Sequence, residues 1–123
     1  MRVLLVEDEA DLRTEIREYL QRRGHEVTDC GSLGDSLYAV RRLIAESTPP
    51  EVVVCDVNLP DGNGVDFYIT VSPGLPNCKW VLMSGAHDFE QVDKVSGRID
   101  LPSCAIVEKP VSLRTLNAAF TQA

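Results

Sequence analysis

Five short runs of apolar, mostly β-branched residues alternate along this chain with segments whose apolar residues recur at helical spacing. The five runs lie at residues 2–6, 25–30, 51–55, 79–83 and 104–107. Continuous apolar runs are typical of strands buried on both faces, and strands that alternate with helices form parallel sheets. The pattern therefore predicts an α/β fold with a five-stranded parallel sheet, right-handed crossovers and helices on both faces.

Four intervening segments have apolar residues on one helical face, and each predicts a helix. The faces are Leu12, Ile16, Tyr19 and Leu20; Leu33, Leu37, Val40 and Ile44; Val92, Val95 and Ile99; and Leu113, Leu116 and Phe120. Gly24 is expected to end the first helix, and Ser32 and Ser112 to cap the second and the last. After Gly64 the chain is rich in β-branched and aromatic residues, and a helix is expected there because parallel strands need a crossover.

Size and charge limit the classes of function. A chain of 123 residues is the usual size of one domain, so we expect a single domain over residues 1–123. The net charge of −7 argues against direct binding of nucleic acid, which normally needs a basic surface. No apolar stretch approaches the ~18–20 residues of a membrane span, and acids interrupt the N-terminal apolar run, so a cytoplasmic location is expected.

The four cysteines do not form a C-x-x-C pair. They are Cys30, Cys55, Cys78 and Cys104, and Cys55 lies inside an apolar run. Reduced thiols are therefore favoured over disulfides or a zinc site.

Polar residues follow the apolar runs at the ends of four predicted strands. Glu7 and Asp8 follow the first strand, Asp56 the third, Ser84 the fourth and Lys109 the fifth. Parallel strands deliver their carboxyl ends to one edge of the sheet, where ligands bind. Three carboxylates at one edge would repel each other, and a hard divalent cation such as Mg²⁺ would relieve that repulsion. The sequence therefore predicts a magnesium site at this edge.

Four motifs, in order and at these strand ends, make the whole chain resemble the receiver domain of two-component response regulators. They are "VEDE" at 6–9, "CDVNLPDGNG" at 55–64, "LMSGA" at 82–86 and "EKP" at 108–110. The resemblance implies a flavodoxin-like, doubly wound sheet of five parallel strands in the order 2-1-3-4-5, with five helices.

The resemblance also assigns roles to single residues. Asp56 corresponds to the phosphoacceptor, Ser84 to the switch hydroxyl and Lys109 to the lysine that pairs with the phosphoryl group. Asp8 and Asp56 correspond to close ligands of Mg²⁺, with Glu7 acting directly or through water and Asn58 contributing its backbone carbonyl. Pro110 corresponds to a proline whose peptide bond is usually cis. Gly64 is expected to adopt a φ that other residues resist, and Gly62 to serve the turn.

The function implied is that of a phosphorylation switch, which is not an enzyme beyond catalysing its own phosphorylation and dephosphorylation. A sensor histidine kinase or a histidine phosphotransfer protein would donate the phosphoryl group to Asp56 in a Mg²⁺-dependent reaction. A downstream effector protein or output domain would read the result, and phosphorylation could drive formation of a homodimer. No membrane partner is implied.

One position departs from the family pattern. Many receivers carry Tyr or Phe three residues before the lysine, and here that position is Ile106. The fourth helix region is also atypical, since Gly97 and Pro102 lie where a helix and a loop must meet. The face formed by the fourth helix, fifth strand and fifth helix is therefore expected to respond by movement of loops and backbone.

Two alternatives remain open. One is a phosphate-independent interaction module with the receiver fold, which stays open because Ile106 replaces the usual aromatic residue. The other is a metal-dependent phosphatase or a flavin-binding protein on a similar sheet. The phosphatase usually needs a second acid where Asn58 stands, and Glu7 and Asp8 would repel the phosphate of a flavin.

Overall fold

The computed structural model describes residues 1–95 and 98–121, and the predicted fold class is confirmed. The elements in chain order are β1 (Arg2–Val6), α1 (Ala10–Arg22), β2 (Glu26–Cys30), α2 (Leu33–Ala45), β3 (Val52–Asp56), β4 (Asn58–Leu59), β5 (Gly62–Asn63), α3 (Gly64–Val71), a 3₁₀ turn (Ser72–Gly74), β6 (Lys79–Ser84), α4 (Phe89–Asp93), β7 (Cys104–Glu108) and α5 (Leu113–Thr121). Among the described residues, no helix is both long and apolar enough to cross a membrane.

Five strands form one parallel sheet in the order β2-β1-β3-β6-β7. Counting only these strands gives the predicted order 2-1-3-4-5. The strands β4 and β5 form a separate two-stranded antiparallel hairpin directly after β3. The strand β3 lies at the centre of the sheet, so its last residue, Asp56, reaches the carboxyl edge between β1 and β6.

The sheet is buried on both faces because alternate residues of each strand pack against different helices. In β1, Val3 and Leu5 belong to the core that includes Ile16 of α1 and Phe120 of α5. Leu4 and Val6 belong to the opposite core, which α2 and α3 cover. All four cysteines are free thiols, in agreement with the expectation from their spacing.

The ends of α1 and α5 agree with the sequence. Gly24 adopts a φ of +89° just after α1, a conformation that glycine adopts without strain. The Ser112 hydroxyl accepts a hydrogen bond from Thr115 N at 3.3 Å and so caps α5.

The helix α2 is present and begins at the predicted cap, where Ser32 Oγ accepts from Asp35 N. Its apolar face is only partly buried, because Leu37 and Ile44 are 37% and 48% exposed. The residues that bury instead include the small Ser36 and Ala39, which let the helix backbone approach the sheet closely. Ser36 Oγ donates to Ser32 O at 2.7 Å, so its burial leaves no unsatisfied hydroxyl.

The crossover helix α3 forms although its residues have poor helix propensity. Asn63 caps it, since Asn63 Oδ1 accepts from Val65 N at 2.7 Å. Val65, Phe67 and Tyr68 are buried against the sheet, and the rings of Phe67 and Tyr68 meet Trp80 edge to face. Tertiary packing therefore outweighs local propensity here.

The predicted face of the fourth helix is only partly correct. The helix α4 ends at Asp93, and Ile99 lies outside it with 98% of its surface exposed. Gly97, on which an expectation rested, lies outside the described residues. Val92 and Val95 do pack against the core, so the first turn of the predicted face is retained.

The expectation that Gly64 has an unusual φ is wrong, and the expectation that Gly62 serves the turn agrees with its place in the hairpin. Gly62 has the positive φ, +155°, whereas Gly64 is required by contact distance. A Cβ on Gly64 would lie 2.1 Å from the backbone oxygen of Asp56, and Gly64 N donates to Val57 O at 2.8 Å. The backbone after Asp56 therefore packs directly against the start of α3.

We expect Gly64→Ala to lower the free energy of unfolding by roughly 2–3 kcal/mol, because the two nearest atoms, the backbone O and C of Asp56, cannot turn aside as a flexible side chain could. Gly74→Ala is the matched control, since a Cβ there meets nothing within 4 Å. Urea unfolding of both variants, followed by the fluorescence of Trp80, measures the difference. Equal stabilities would contradict the close approach at Gly64.

Candidate functional site

Three carboxylates meet at the carboxyl edge of the sheet. Glu7 and Asp8 follow β1, and Asp56 ends the neighbouring β3. One oxygen from each of the three side chains lies within 4.8 Å of the others. Glu7 is 1% exposed and Asp56 3% exposed, whereas Asp8 is open to solvent. Carboxylate oxygens in this arrangement suit a hard divalent cation.

The lysine at the end of β7 reaches across the sheet to these acids. Lys109 Nζ lies 2.5 Å from Asp56 Oδ2 and 3.3 Å from Glu7 Oε1. Its backbone N–H donates to Ser84 O at 2.8 Å, which fixes the start of the loop after β7 against the end of β6. The Lys109–Pro110 peptide bond is cis, in agreement with the resemblance.

The electrostatics of the site reflect burial first and charge second. Burial raises the pKa of Glu7 to about 7, and the charge of Asp56 acts in the same direction. A hydrogen bond from Glu9 N and the charge of Lys109 oppose that rise. Burial disfavours the charged form of Lys109, but the hydrogen bond and charge of Asp56 outweigh it, and the pKa of Lys109 is raised.

The remaining oxygen of Asp56 is held by the backbone of the next loop. Asn58 N donates to Asp56 Oδ1 at 3.0 Å, so both carboxylate oxygens of Asp56 have a donor. Asn58 itself is exposed. The neighbouring Cys55 is fully buried, which raises the pKa of its thiol, so it does not provide a competing thiolate.

Ser84 ends β6 beside this cluster. It is 8% exposed, and its hydroxyl donates to Gly85 O at 3.3 Å. Ser84 and Lys109 both line an open cavity of about 400 Å³ that also includes Ile106. The structure thus brings all the residues predicted from the strand ends to one edge of the sheet.

Two polar residues at the site were not predicted from the sequence. Arg13 Nη1 donates to Glu7 O at 2.8 Å while its Nε contacts Asp29 at 3.1 Å, so Arg13 fixes the backbone of Glu7. Asp88 is 3% exposed and binds both Asn58 and Gly85. Only the position of Asp88 just before a helix could have drawn attention to it, and that position suggests an ordinary N-cap.

Comparisons with known proteins agree with this geometry. The family model of the response regulator receiver domain matches residues 3–121. The transcriptional regulatory protein PdtaR of Mycobacterium tuberculosis is 33% identical over 119 residues, which are 97% of this chain and 54% of that protein. The alkaline phosphatase synthesis transcriptional regulatory protein PhoP of Bacillus subtilis is 32% identical over 120 residues, 95% of this chain and 45% of that protein.

A solved structure of a response regulator receiver protein from Sinorhizobium medicae has a TM-score of 0.78 and 26% identity. The superposition covers 99% of this chain and 92% of that chain. The chain spans about half the length of the two regulatory proteins.

The buried Glu7 gives the metal-free protein a defined pH dependence. Its pKa is higher in the folded than in the unfolded chain, so its contribution is fully present below pH ~4.5 and is lost as the pH rises through about 7. In EDTA, we expect Glu7→Gln to be more stable than the parent at pH 8, by about 2 kcal/mol, and closer to it at pH 5. Thermal unfolding at both pH values, with the exposed Glu15→Gln as control, measures this. A pH-independent difference would exclude titration of Glu7 as the cause.

Proposed function

The chain belongs to the response regulator receiver family, and on that premise we propose that Asp56 is its phosphoacceptor. The observation that supports this most directly is the pair of donors on its carboxylate, Lys109 Nζ at 2.5 Å and Asn58 N at 3.0 Å. These donors fix the carboxylate at the end of the central strand, beside Glu7 and Asp8. Phosphoryl transfer asks the protein chiefly for positioning and for neutralisation of charge, and these groups supply both.

In the proposed transfer, an oxygen of the Asp56 carboxylate attacks the phosphorus of a phosphohistidine on a partner. The O–P bond forms and the P–N bond breaks, and the electron pair of that bond stays on the imidazole nitrogen, which takes a proton. In the later hydrolysis, water attacks the same phosphorus, and inorganic phosphate leaves the regenerated carboxylate. The protein is thus a switch whose own Asp56 side chain is phosphorylated and dephosphorylated.

The acidic cluster fits Mg²⁺ on the chemistry of its donors. Three carboxylates lie within reach of one ion. Burial raises the pKa of Glu7 to about 7, and a nearby cation would favour its ionised form. We assign Asp8 and Asp56 as ligands of Mg²⁺, with Glu7 acting directly or through water. The backbone carbonyl of Asn58 is the remaining ligand that the protein provides. When bound, Mg²⁺ would supply the positive charge that draws a phosphoryl oxygen toward three carboxylates.

Ser84 and Lys109 are the proposed partners of the phosphoryl group. Lys109 Nζ already contacts the acceptor carboxylate and can follow the charge when it moves to the phosphoryl oxygens. The Ser84 hydroxyl, now donating to Gly85 O, can rotate to donate to a phosphoryl oxygen instead. New negative charge at Asp56 would then bias the loop after β6 between two arrangements, which a partner can read.

The proposed partners follow from the two-component class. The donor is a sensor histidine kinase or a histidine phosphotransfer protein, and the reader is an effector protein or an output domain. Direct contact of this domain with nucleic acid is disfavoured by its net charge of −7. A homodimer on phosphorylation and a cytoplasmic location complete the proposal.

We expect the protein to gain the mass of one phosphoryl group when incubated with acetyl phosphate and Mg²⁺. Asp56→Asn or EDTA should abolish the gain, and Asp35→Asn, which removes an exposed acid from α2, should leave it intact. Intact-protein mass spectrometry measures all four samples. No gain with acetyl phosphate or with phosphorylated histidine donors, while Mg²⁺ still binds, would favour the phosphate-independent interaction module.

The side chain at position 106 leads to a separate expectation. Ile106 is 40% exposed on β7 and is not aromatic, so phosphorylation should act on the face of α4, β7 and α5 through its backbone. Amide resonances of β7 and of the loop after β6 should therefore shift between the unmodified and phosphorylated forms. Unchanged resonances throughout that face would contradict this mode of response.

A further inference from the structure

Asp88 occupies an unusual position for a buried acid. It directly precedes α4, where an aspartate side chain commonly accepts hydrogen bonds from the first turn of the helix. Its side chain makes no such cap and is only 3% exposed. The carboxylate is turned away from its own helix and toward the phosphoacceptor site.

The two oxygens of this carboxylate bind two different loops. Asp88 Oδ2 accepts a hydrogen bond from Gly85 N at 2.6 Å, within the loop after β6. Asp88 Oδ1 accepts a short hydrogen bond from Asn58 Nδ2, in the loop after β3. Asp88 therefore joins loops that are 30 residues apart in sequence.

Each of these two contacts adjoins a residue of the proposed phosphoacceptor site. Asn58 N donates to Asp56 Oδ1 at 3.0 Å, so the position of Asn58 helps to fix the acceptor. Gly85 follows Ser84, the proposed partner of the phosphoryl group, and its oxygen accepts from the Ser84 hydroxyl at 3.3 Å. The ladder between β3 and β6 sets the backbone spacing of Asp56 and Ser84. Asp88 adds a connection between the segments that follow these two strands, and so restrains Asn58 and Gly85 next to them.

We propose that Asp88 is a positioning residue for phosphoryl transfer, whose carboxylate holds the loop after Ser84 and the side chain of Asn58 in place beside Asp56. The inference rests on the proposed function of Asp56. Asp88 contacts the acceptor and the hydroxyl only through Asn58 and Gly85.

The chemistry of the link depends on two acceptor oxygens at position 88. An ionised carboxylate only accepts hydrogen bonds, and it meets two N–H donors here. Alanine would leave both donors without this acceptor, whereas asparagine would keep one acceptor for Gly85 N, and the Asn58 amide can turn its oxygen toward the new NH₂ group. Asp88→Ala is therefore the change that frees the two loops to move relative to each other.

We expect Asp88→Ala to lower the maximal rate of phosphorylation by acetyl phosphate and Mg²⁺ about tenfold or more. The acetyl phosphate concentration that gives half the maximal rate should change little, because Lys109 and the acidic cluster remain. Glu90→Ala is the matched control, since it removes an exposed acid from the first turn of the same helix. It should phosphorylate at the parental rate.

Removing the other partner of the link provides a second arm. Asn58→Ala removes the side-chain donor to Asp88 but keeps the backbone N–H that donates to Asp56. It should therefore slow phosphorylation as well, and if the two side chains act through one hydrogen bond, Asn58→Ala with Asp88→Ala should be faster than the product of the single effects predicts. Because Asn58 is exposed, Asn58→Ala carries the test if Asp88→Ala does not fold.

The amide proton of Gly85 reports the link without any phosphate. A short hydrogen bond to a carboxylate shifts this resonance downfield, and it should move upfield in Asp88→Ala but stay in place in Glu90→Ala. A Gly85 resonance that is the same in both variants would overturn the inference. So would a folded Asp88→Ala with the parental rate, or a double variant no faster than the product of the single effects predicts.

The outcomes separate the inference from the function on which it rests. A parent protein that gains a phosphoryl group while Asp88→Ala gains it equally fast overturns only the role of Asp88. A parent protein that gains none from small or histidine donors overturns the proposed function and, with it, this role.

Discussion

The fold is organised around one costly feature, the burial of the Asp56 carboxylate next to that of Glu7. Two buried carboxylates in contact are unfavourable unless donors and opposite charge are supplied at short range. Lys109 Nζ supplies the charge at 2.5 Å and 3.3 Å, and Asn58 N supplies a further donor at 3.0 Å. The carboxylates and their donors come from the ends of β1, β3 and β7, so the parallel sheet with β3 at its centre brings them together.

Hydrogen bonds connect the loops around Asp56 to the beginnings of different helices, so a change at the site can affect those helices. The hairpin after β3 presents Asp61, whose carboxylate accepts from Leu33 N and Gly34 N at 2.9 Å each, at the start of α2. Those backbone hydrogen bonds lower the pKa of Asp61, so it stays ionised there. On the other side, Asp88 ties Asn58 to the loop before α4. A change of charge at Asp56 can therefore be transmitted through these hydrogen bonds to the start of α2 and to the loop before α4. The two cores on the faces of the sheet are closely packed and resist deformation.

The sequence predicted best the features that depend on neighbouring residues, namely the strand limits and the helix caps. The five strands lie within a residue or two of their predicted limits, because continuous apolar runs end sharply at polar residues. The caps at Ser32 and Ser112 are correct for the same local reason. The apolar spacing of α2 predicts the helix but does not show which residues pack on the sheet, since Ser36 and Ala39 are buried there and Leu37 is exposed. The helix α4 ends before Ile99, and apolar spacing alone could not show this.

What the sequence by itself determined is the order of strands and helices and the identity of the residues at the strand ends, because both follow from local patterns of burial. The resemblance it carries identified the family. Only the tertiary structure decided how those ends meet: that Lys109 reaches both Asp56 and Glu7, that Gly64 is needed for contact with the Asp56 backbone, and that Asp88 faces Asn58. These relations join residues far apart in the chain, and their distances depend on the packing of the whole sheet, which no local pattern encodes.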